Sequence, residues 1–227
     1  MRLGVLGAMD AEIEAIVSAL DDASWQTTFG CRLTAGLLNG QPVVVACSGI
    51  GKVNAALATT ALRQAGVDQL VLVGMAGAAK PGISIGDAVV ATDLVQHDVD
   101  ITAFGDEPGY LNGQLAGGTA DATLASRLAD AAAALGVRVH RGRIASGDQF
   151  IASPGQANQI AARFDAVAVE MEGAAVAQTC QRLGLPFAVL RWISDSADEQ
   201  AATDFPVFLA RIAELDLAVV GHLCLLE

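Results

Sequence analysis

The chain reads as an α/β protein built on a mostly parallel sheet with helices on both faces. Three observations predict this. Short apolar runs such as Leu3–Leu6 and Leu70–Val73 have the look of strands buried on both sides. Between such runs lie segments whose apolar residues recur at helical spacing, as in Ile13, Ile16, Val17 and Leu20. The 227 residues are 53% hydrophobic and contain no linker, repeat or low-complexity segment, so one domain spanning 1–227 is expected.

The elements follow in order. Leu3–Leu6 is the first strand, and Asp10 is placed to cap the helix after it. Thr27–Leu38 and Pro42–Cys47 read as strands joined by an Asn39-Gly40 hairpin turn. A helix is expected from about Lys52 to Gln64, then the strand Leu70–Val73, then β-rich sequence over Asp87–Val95. Residues Gly105–Gly118 carry five glycines with Pro108 and Asn112, which marks a long loop. Leu124, Leu128, Ala131 and Leu135 form a helical stripe. The remaining strands are Val137–Ala145, Val167–Val169 and Phe187–Arg191, and the remaining helices Pro154–Arg163, Gly173–Leu183 and Phe205–Leu225.

Composition narrows the function. A formal net charge of −12 argues against nucleic acid and other polyanions as partners. Cys31, Cys47, Cys180 and Cys224 form no CxxC pair and read as reduced, mostly buried thiols of a cytoplasmic protein. No apolar run is long enough for a membrane span, and Met1–Gly7 is too short an apolar run for a signal peptide. His97, His140 and His222 are dispersed, so neither a metal site nor a Ser-His-Asp triad is expected. Lys52 and Lys80 read as solvated. Ser48-Gly49-Ile50-Gly51-Lys52 departs from a phosphate loop at Ala46 and Val53, and from a dinucleotide fingerprint at Asn54. This segment and Gly74–Ala79 read either as tight strand-to-helix turns or as bare backbone approached by a small ligand.

The carboxylates carry the chemistry. Glu170 and Glu172 interrupt an apolar tract, and Asp195 follows the strand ending at Arg191. Burying such charges is costly unless they are paired or neutralised. Glu12, Glu172 and Asp195 all fall near carboxyl ends of strands, where ligands of α/β sheets bind. For Glu12 the rival reading is helix capping. Glu170, on the other side of Met171 from Glu172, reads as structural.

Six ordered segments carry a resemblance that covers most of the chain. They are Gly4–Glu12, Ser48–Val53, His97–Gly105, Ser146–Ile151, Val169–Glu172 and Ile193–Asp195. Together they resemble the nucleoside phosphorylase/hydrolase superfamily, and within it the bacterial 5′-methylthioadenosine/S-adenosylhomocysteine nucleosidases. The resemblance implies a three-layer α/β/α sandwich with a mixed central sheet, a homodimer and no cofactor. It implies hydrolysis of the bond between adenine and a 5′-thioribose. Glu12 would then activate water, Asp195 would protonate adenine N7, and Glu172 would bind the ribose hydroxyls and the cationic sugar. Phe150 would stack on adenine, with Ile151 reading its edge. Met9, Ile50, Met171 and Phe205 would line apolar parts of the site, with Ala76, Gly77 and Ser194 completing the substrate-binding set. Phe104 would enter the partner subunit's 5′-thio pocket.

Water fits better than phosphate as the nucleophile, because Met9–Ser18 holds Asp10, Glu12 and Glu14 and no Lys or Arg. Three positions depart from the family pattern. Met75 replaces a serine, Trp192 a small residue, and Asn112 a proline in the loop bordering the 5′-thio pocket. Two other readings stand beside the leading one: a nucleosidase for another purine nucleoside such as futalosine, and a nucleoside-binding protein without turnover.

Overall fold

The computed structural model describes residues 1–197 and 201–225, and leaves the side chains at 201–207 and 210 undescribed. Strand β1 (Leu3–Gly7) leads into helix α1 (Asp10–Ser18). Three strands follow, β2 (Asp21–Thr28), β3 (Cys31–Leu38) and β4 (Gln41–Cys47), then α2 (Lys52–Gln64). Strands β5 (Gln69–Leu72), β6 (Met75–Ala78) and β7 (Ala88–Gln96) come next. After a short 3-10 turn at Thr102–Phe104 lie β8 (Tyr110–Leu111), β9 (Gln114–Leu115) and β10 (Gly117–Thr119). The chain closes with α3 (Ala122–Ala134), β11 (Val139–Ser146), α4 (Pro154–Phe164), β12 (Ala166–Glu170), α5 (Gly173–Leu183), β13 (Phe187–Asp195) and α6 (Ala201–Leu225).

Eleven strands form one sheet in the order β10-β7-β11-β12-β6-β13-β5-β1-β4-β3-β2. Its centre, β4-β1-β5-β13-β6, is parallel, and β12 runs antiparallel to β6. Helix α6 packs against α1 and α3 on one side, and α2 packs against α5 on the other. Every residue of β1, β5 and β13 is buried, as expected of strands covered on both faces. The sheet also closes on itself. β13 pairs with β5 through Phe187–Val189, then with β7 through Leu190–Trp192, so β7, β11, β12, β6 and β13 form a ring.

Several expectations need correction. The segment Gly74–Ala79 contains the strand β6 rather than only a turn, because its small residues fit between β12 and β13. Thr27 belongs to β2, an edge strand that the polar sequence Asp21–Thr28 conceals. The glycine-rich region after Phe104 is not all loop, since it holds β8, β9 and β10. Met9 is the N-cap of α1, and Asp10 is its first helical residue. β13 runs on past Arg191, so Asp195 ends a strand rather than following one.

Two turns show direct sequence control. Asn39-Gly40 joins β3 to β4 with φ of 51° and 81°. Asn112-Gly113 joins β8 to β9 with φ of 53° and 72°. Paired positive φ values are the signature of tight hairpin turns, which Asn-Gly favours. Proline is locked near −65°, so it cannot replace Asn112 in this turn.

Candidate active site

A cavity of about 330 Å³ opens where β1, β6, β12 and β13 converge. Glu12, Glu172 and Asp195 all line it, together with Met9, Ile50, Ala76, Gly77, Phe150, Ile151, Met171 and Ser194. Phe104 does not; it stands 89% exposed on its short turn. The Phe205 side chain lies outside the described residues. Ala8, Met75, Gln149, Val169 and Glu170 also line the cavity and were not assigned to it from sequence.

The expected common edge of carboxyl ends holds only in part. β1 and β13 run parallel through β5, but β12 runs opposite to them. The acids meet because β6 lies between the two directions. Gly77 is opposite Val169 on one side and opposite Asp195 on the other. A Cβ at Gly77 would stand 2.8 Å from Asp195 Oδ1, so glycine lets the acid close against the strand.

Glu12 is held by backbone. Its Oε2 accepts the N–H of Ala8 at 2.6 Å and of Met9 at 2.9 Å, and its Oε1 accepts that of Met75 at 3.3 Å. The contact with the Met9 N–H is a capping contact, so capping and exposure to the cavity coexist in one carboxyl. Burial pushes the Glu12 pKa up, against the opposing pull of Arg191 and these three N–H groups.

Glu172 precedes α5, and its Oε1 accepts the Gly51 N–H at 2.8 Å. The glycine loop before α2 thus delivers a backbone donor to a carboxylate, with Gly51 at φ +99°. Burial raises the Glu172 pKa to about 7, with Arg191 opposing and Glu170 adding to the rise. Asp195 accepts the Ser194 hydroxyl at 2.7 Å and the Ala197 N–H at 2.8 Å.

Arg191, which no short motif marks, organises these acids. Its guanidinium is 1% exposed and donates to Glu170, to Glu172 at 3.1 Å and to the Val73 carbonyl at 3.1 Å. Glu170 accepts Arg191, the Ser146 hydroxyl and the Gly173 N–H, so it braces the start of α5. The charge-rich loop beside the site also corrects an expectation. Lys52 is not solvated; its Nζ donates to Asp98 at 2.7 Å and to Gln96 at 3.0 Å. Lys80 pairs with Asp165, whose carboxylate is exposed. Among the described residues, no group of three or more His, Cys, Asp or Glu side chains is arranged to hold a metal ion. No described helix is long and apolar enough to cross a membrane.

Three acids around an apolar slot suit a reaction that develops positive charge on the ligand. The comparisons with known proteins agree. The chain is 41% identical to a 5′-methylthioadenosine/S-adenosylhomocysteine nucleosidase of Bacillus subtilis, over 98% of this chain and 100% of that one. It superposes with a TM-score of 0.92 on the Neisseria meningitidis nucleosidase of that name bound to methylthio-immucillin-A, at 37% identity over 98% and 97% of the two chains. It superposes equally closely, TM-score 0.93, on a futalosine hydrolase mutant of Helicobacter pylori, at 36% identity over 98% of each chain. The family model described as the phosphorylase superfamily matches residues 2–223, and the chain belongs to that superfamily.

Proposed function

We propose that this protein is an N-glycosyl hydrolase that splits 5′-methylthioadenosine and S-adenosylhomocysteine into adenine and the 5′-thioribose. The observation that carries the reading is the gathering of Glu12, Glu172 and Asp195 around one cavity of about 330 Å³. The nucleosidase relatives add to it.

In this reaction the C1′–N9 bond breaks as positive charge grows on the sugar. Glu172 faces that sugar and stabilises the cation, while binding the ribose hydroxyls. Asp195 gives a proton to N7, so that adenine leaves neutral. Glu12 takes a proton from water, whose oxygen bonds to C1′. Phe150, half exposed over the cavity, stacks on adenine; Ile151 supplies backbone contacts to its edge. Met9, Ile50, Met171, Ala76, Gly77 and Ser194 shape the rest of the site.

Hydrolysis is favoured over phosphorolysis by what occupies the anion-binding donors. The N–H groups of Ala8, Met9 and Met75 converge on the Glu12 carboxylate, which stands where an inorganic anion would need to bind. The described cavity lining contains no Lys or Arg, and Arg191 behind it is already paired with two carboxylates.

The homodimer belongs to this reading. The Phe104 side chain is largely exposed in its own chain, which supports its insertion into the 5′-thio pocket of a second copy. A cytoplasmic location is part of the same proposal.

Adenine release from 5′-methylthioadenosine, with and without phosphate, tests the reaction. Phosphate-independent release is expected; ribose 1-phosphate formation would make the enzyme a phosphorylase instead. Preferred release of base from futalosine would favour the second substrate, given the Helicobacter pylori neighbour. Asp195→Asn should lower kcat by roughly 10²–10⁴-fold, the usual worth of a general acid, while inhibitor binding stays measurable. Unchanged turnover would remove Asp195 from its role.

A further inference from the structure

Trp192 and Asp216 form a buried pair beside the cavity to which the reaction above gives no task. Asp216 sits on α6 and is fully enclosed. Its Oδ1 accepts the Trp192 indole N–H at 2.8 Å, and its enclosed Oδ2 has no hydrogen-bond partner. An ionised carboxyl in such a place is costly. Burial pushes its pKa well above the ordinary carboxylate range, and the nearby charge of Glu12 pushes the same way. Burial thus favours the protonated form of Asp216, and its Oδ1 serves as the acceptor of the indole N–H.

Trp192 carries this anchor to the site. It follows Arg191 on β13, is fully buried, and donates its backbone N–H to the Gly74 carbonyl at 2.8 Å. Its Cα stands opposite Met75 in the β13–β6 ladder. Met75 in turn offers its N–H to Glu12 Oε1 at 3.3 Å. The Gly74 position, at φ +138°, has no room for a Cβ against the Glu12 carboxylate and the Arg191 guanidinium. A continuous set of contacts thus runs from α6, through the indole and the ladder, to the carboxylate that faces the cavity. Packing alone would need only an apolar filler here. The polar pair adds a fixed orientation, since a buried indole N–H must keep its acceptor.

We propose that Trp192 and Asp216 are positioning residues: the Asp216 carboxyl fixes the Trp192 indole, and through it the Gly74–Met75 peptide that binds Glu12. The proposal rests on the reading of Glu12 as the base. The titratable groups facing Glu12 are Arg191 from β13, Glu172 beyond β12, Cys47 at the end of β4 and Asp216 from α6. Those facing Asp216 are Glu12 and Arg191.

The test is the pH profile of kcat/KM for adenine release from 5′-methylthioadenosine by Asp216→Leu and Asp216→Asn. Leucine leaves the indole N–H without its acceptor and loosens the Met75 N–H on Glu12. That N–H lowers the Glu12 pKa, so its loss should move the acid limb to higher pH. At neutral pH kcat should fall roughly tenfold, the rate equivalent of one hydrogen bond to a charged group. Asparagine keeps an acceptor and no charge, and should restore the wild-type limb and rate. A wild-type limb in Asp216→Leu overturns the proposal. So does a limb moved to lower pH in Asp216→Asn, which would show that Asp216 acts on Glu12 through its charge rather than through the indole. Where the leucine variant fails to fold, Trp192→Phe, which removes the indole N–H, should move the limb the same way, and a wild-type limb there also overturns the proposal. Glu12→Gln separates the two readings: it should abolish the acid limb with most of the rate. If it does, and Asp216→Leu behaves as wild type, only the positioning proposal falls.

Discussion

Glu12 shows how one side chain can satisfy two sequence readings that look like rivals. It accepts backbone N–H groups at the start of α1, as a capping acid does, and it faces the cavity. The charge state of Glu172 is coupled to stability. Its pKa in the folded protein, about 7, lies above the unfolded value of 4.5. The folded state therefore binds the proton more tightly, and stability from this group falls as pH rises between those values. Glu172→Gln should remove that slope. In thermal unfolding, the variant should gain on the wild type from pH 4.5 to pH 7, the window set by the two values. A gain that shrinks over this range would refute the assignment. The acids were legible in sequence because charge amid apolar residues is conspicuous. The bracing role of Arg191 was not, since its partners Glu170, Glu172 and Val73 lie far off in the chain. Asp216 was hidden for a similar reason, its partner being Trp192 on another element.

At the scale of elements, β6 is the piece that assembles the site. Four residues, Met-Ala-Gly-Ala, lie between strands of opposite direction and let Val169 and Asp195 approach Gly77 from its two sides. Gly77→Ala would place a methyl 2.8 Å from Asp195 Oδ1 and 3.0 Å from the Ala197 Cβ. Displacing the acid by even about 1 Å can cost roughly 10²-fold in rate. We expect kcat to drop by about that factor with unchanged circular dichroism; full activity would show that the acid does not depend on this contact. Small residues carry almost no strand signal, which is why β6 read as a turn. The Asn39-Gly40 hairpin was readable because its turn chemistry is local. The same chemistry at Asn112-Gly113 makes Asn112 a residue that its turn favours and proline one that it excludes, and so gives that departure from the family pattern a backbone cause.

The whole molecule follows the fold class that strand–helix alternation implies, with helices on both faces of a mixed sheet. Alternation could not reveal the ring closure, because it depends on β13 exchanging partners along its length. Assembly is the prediction that belongs here. Sedimentation should give twice the 23.1 kDa chain mass, and Phe104→Ala should raise KM for 5′-methylthioadenosine with the fold intact. A monomer with full activity would sink the role given to Phe104. The ring has one more consequence. Its strands have no open sides, and the outer strand β10 is three residues long and covered by α5. The lateral hydrogen-bonding capacity of the sheet is thereby left at β2, eight residues with Trp25 exposed and Arg32 laid over the indole. Asp21, Asp22 and a register shift near them interrupt that margin, so the molecule's defence against stacking edge to edge into aggregates is concentrated in a few residues at its opposite rim.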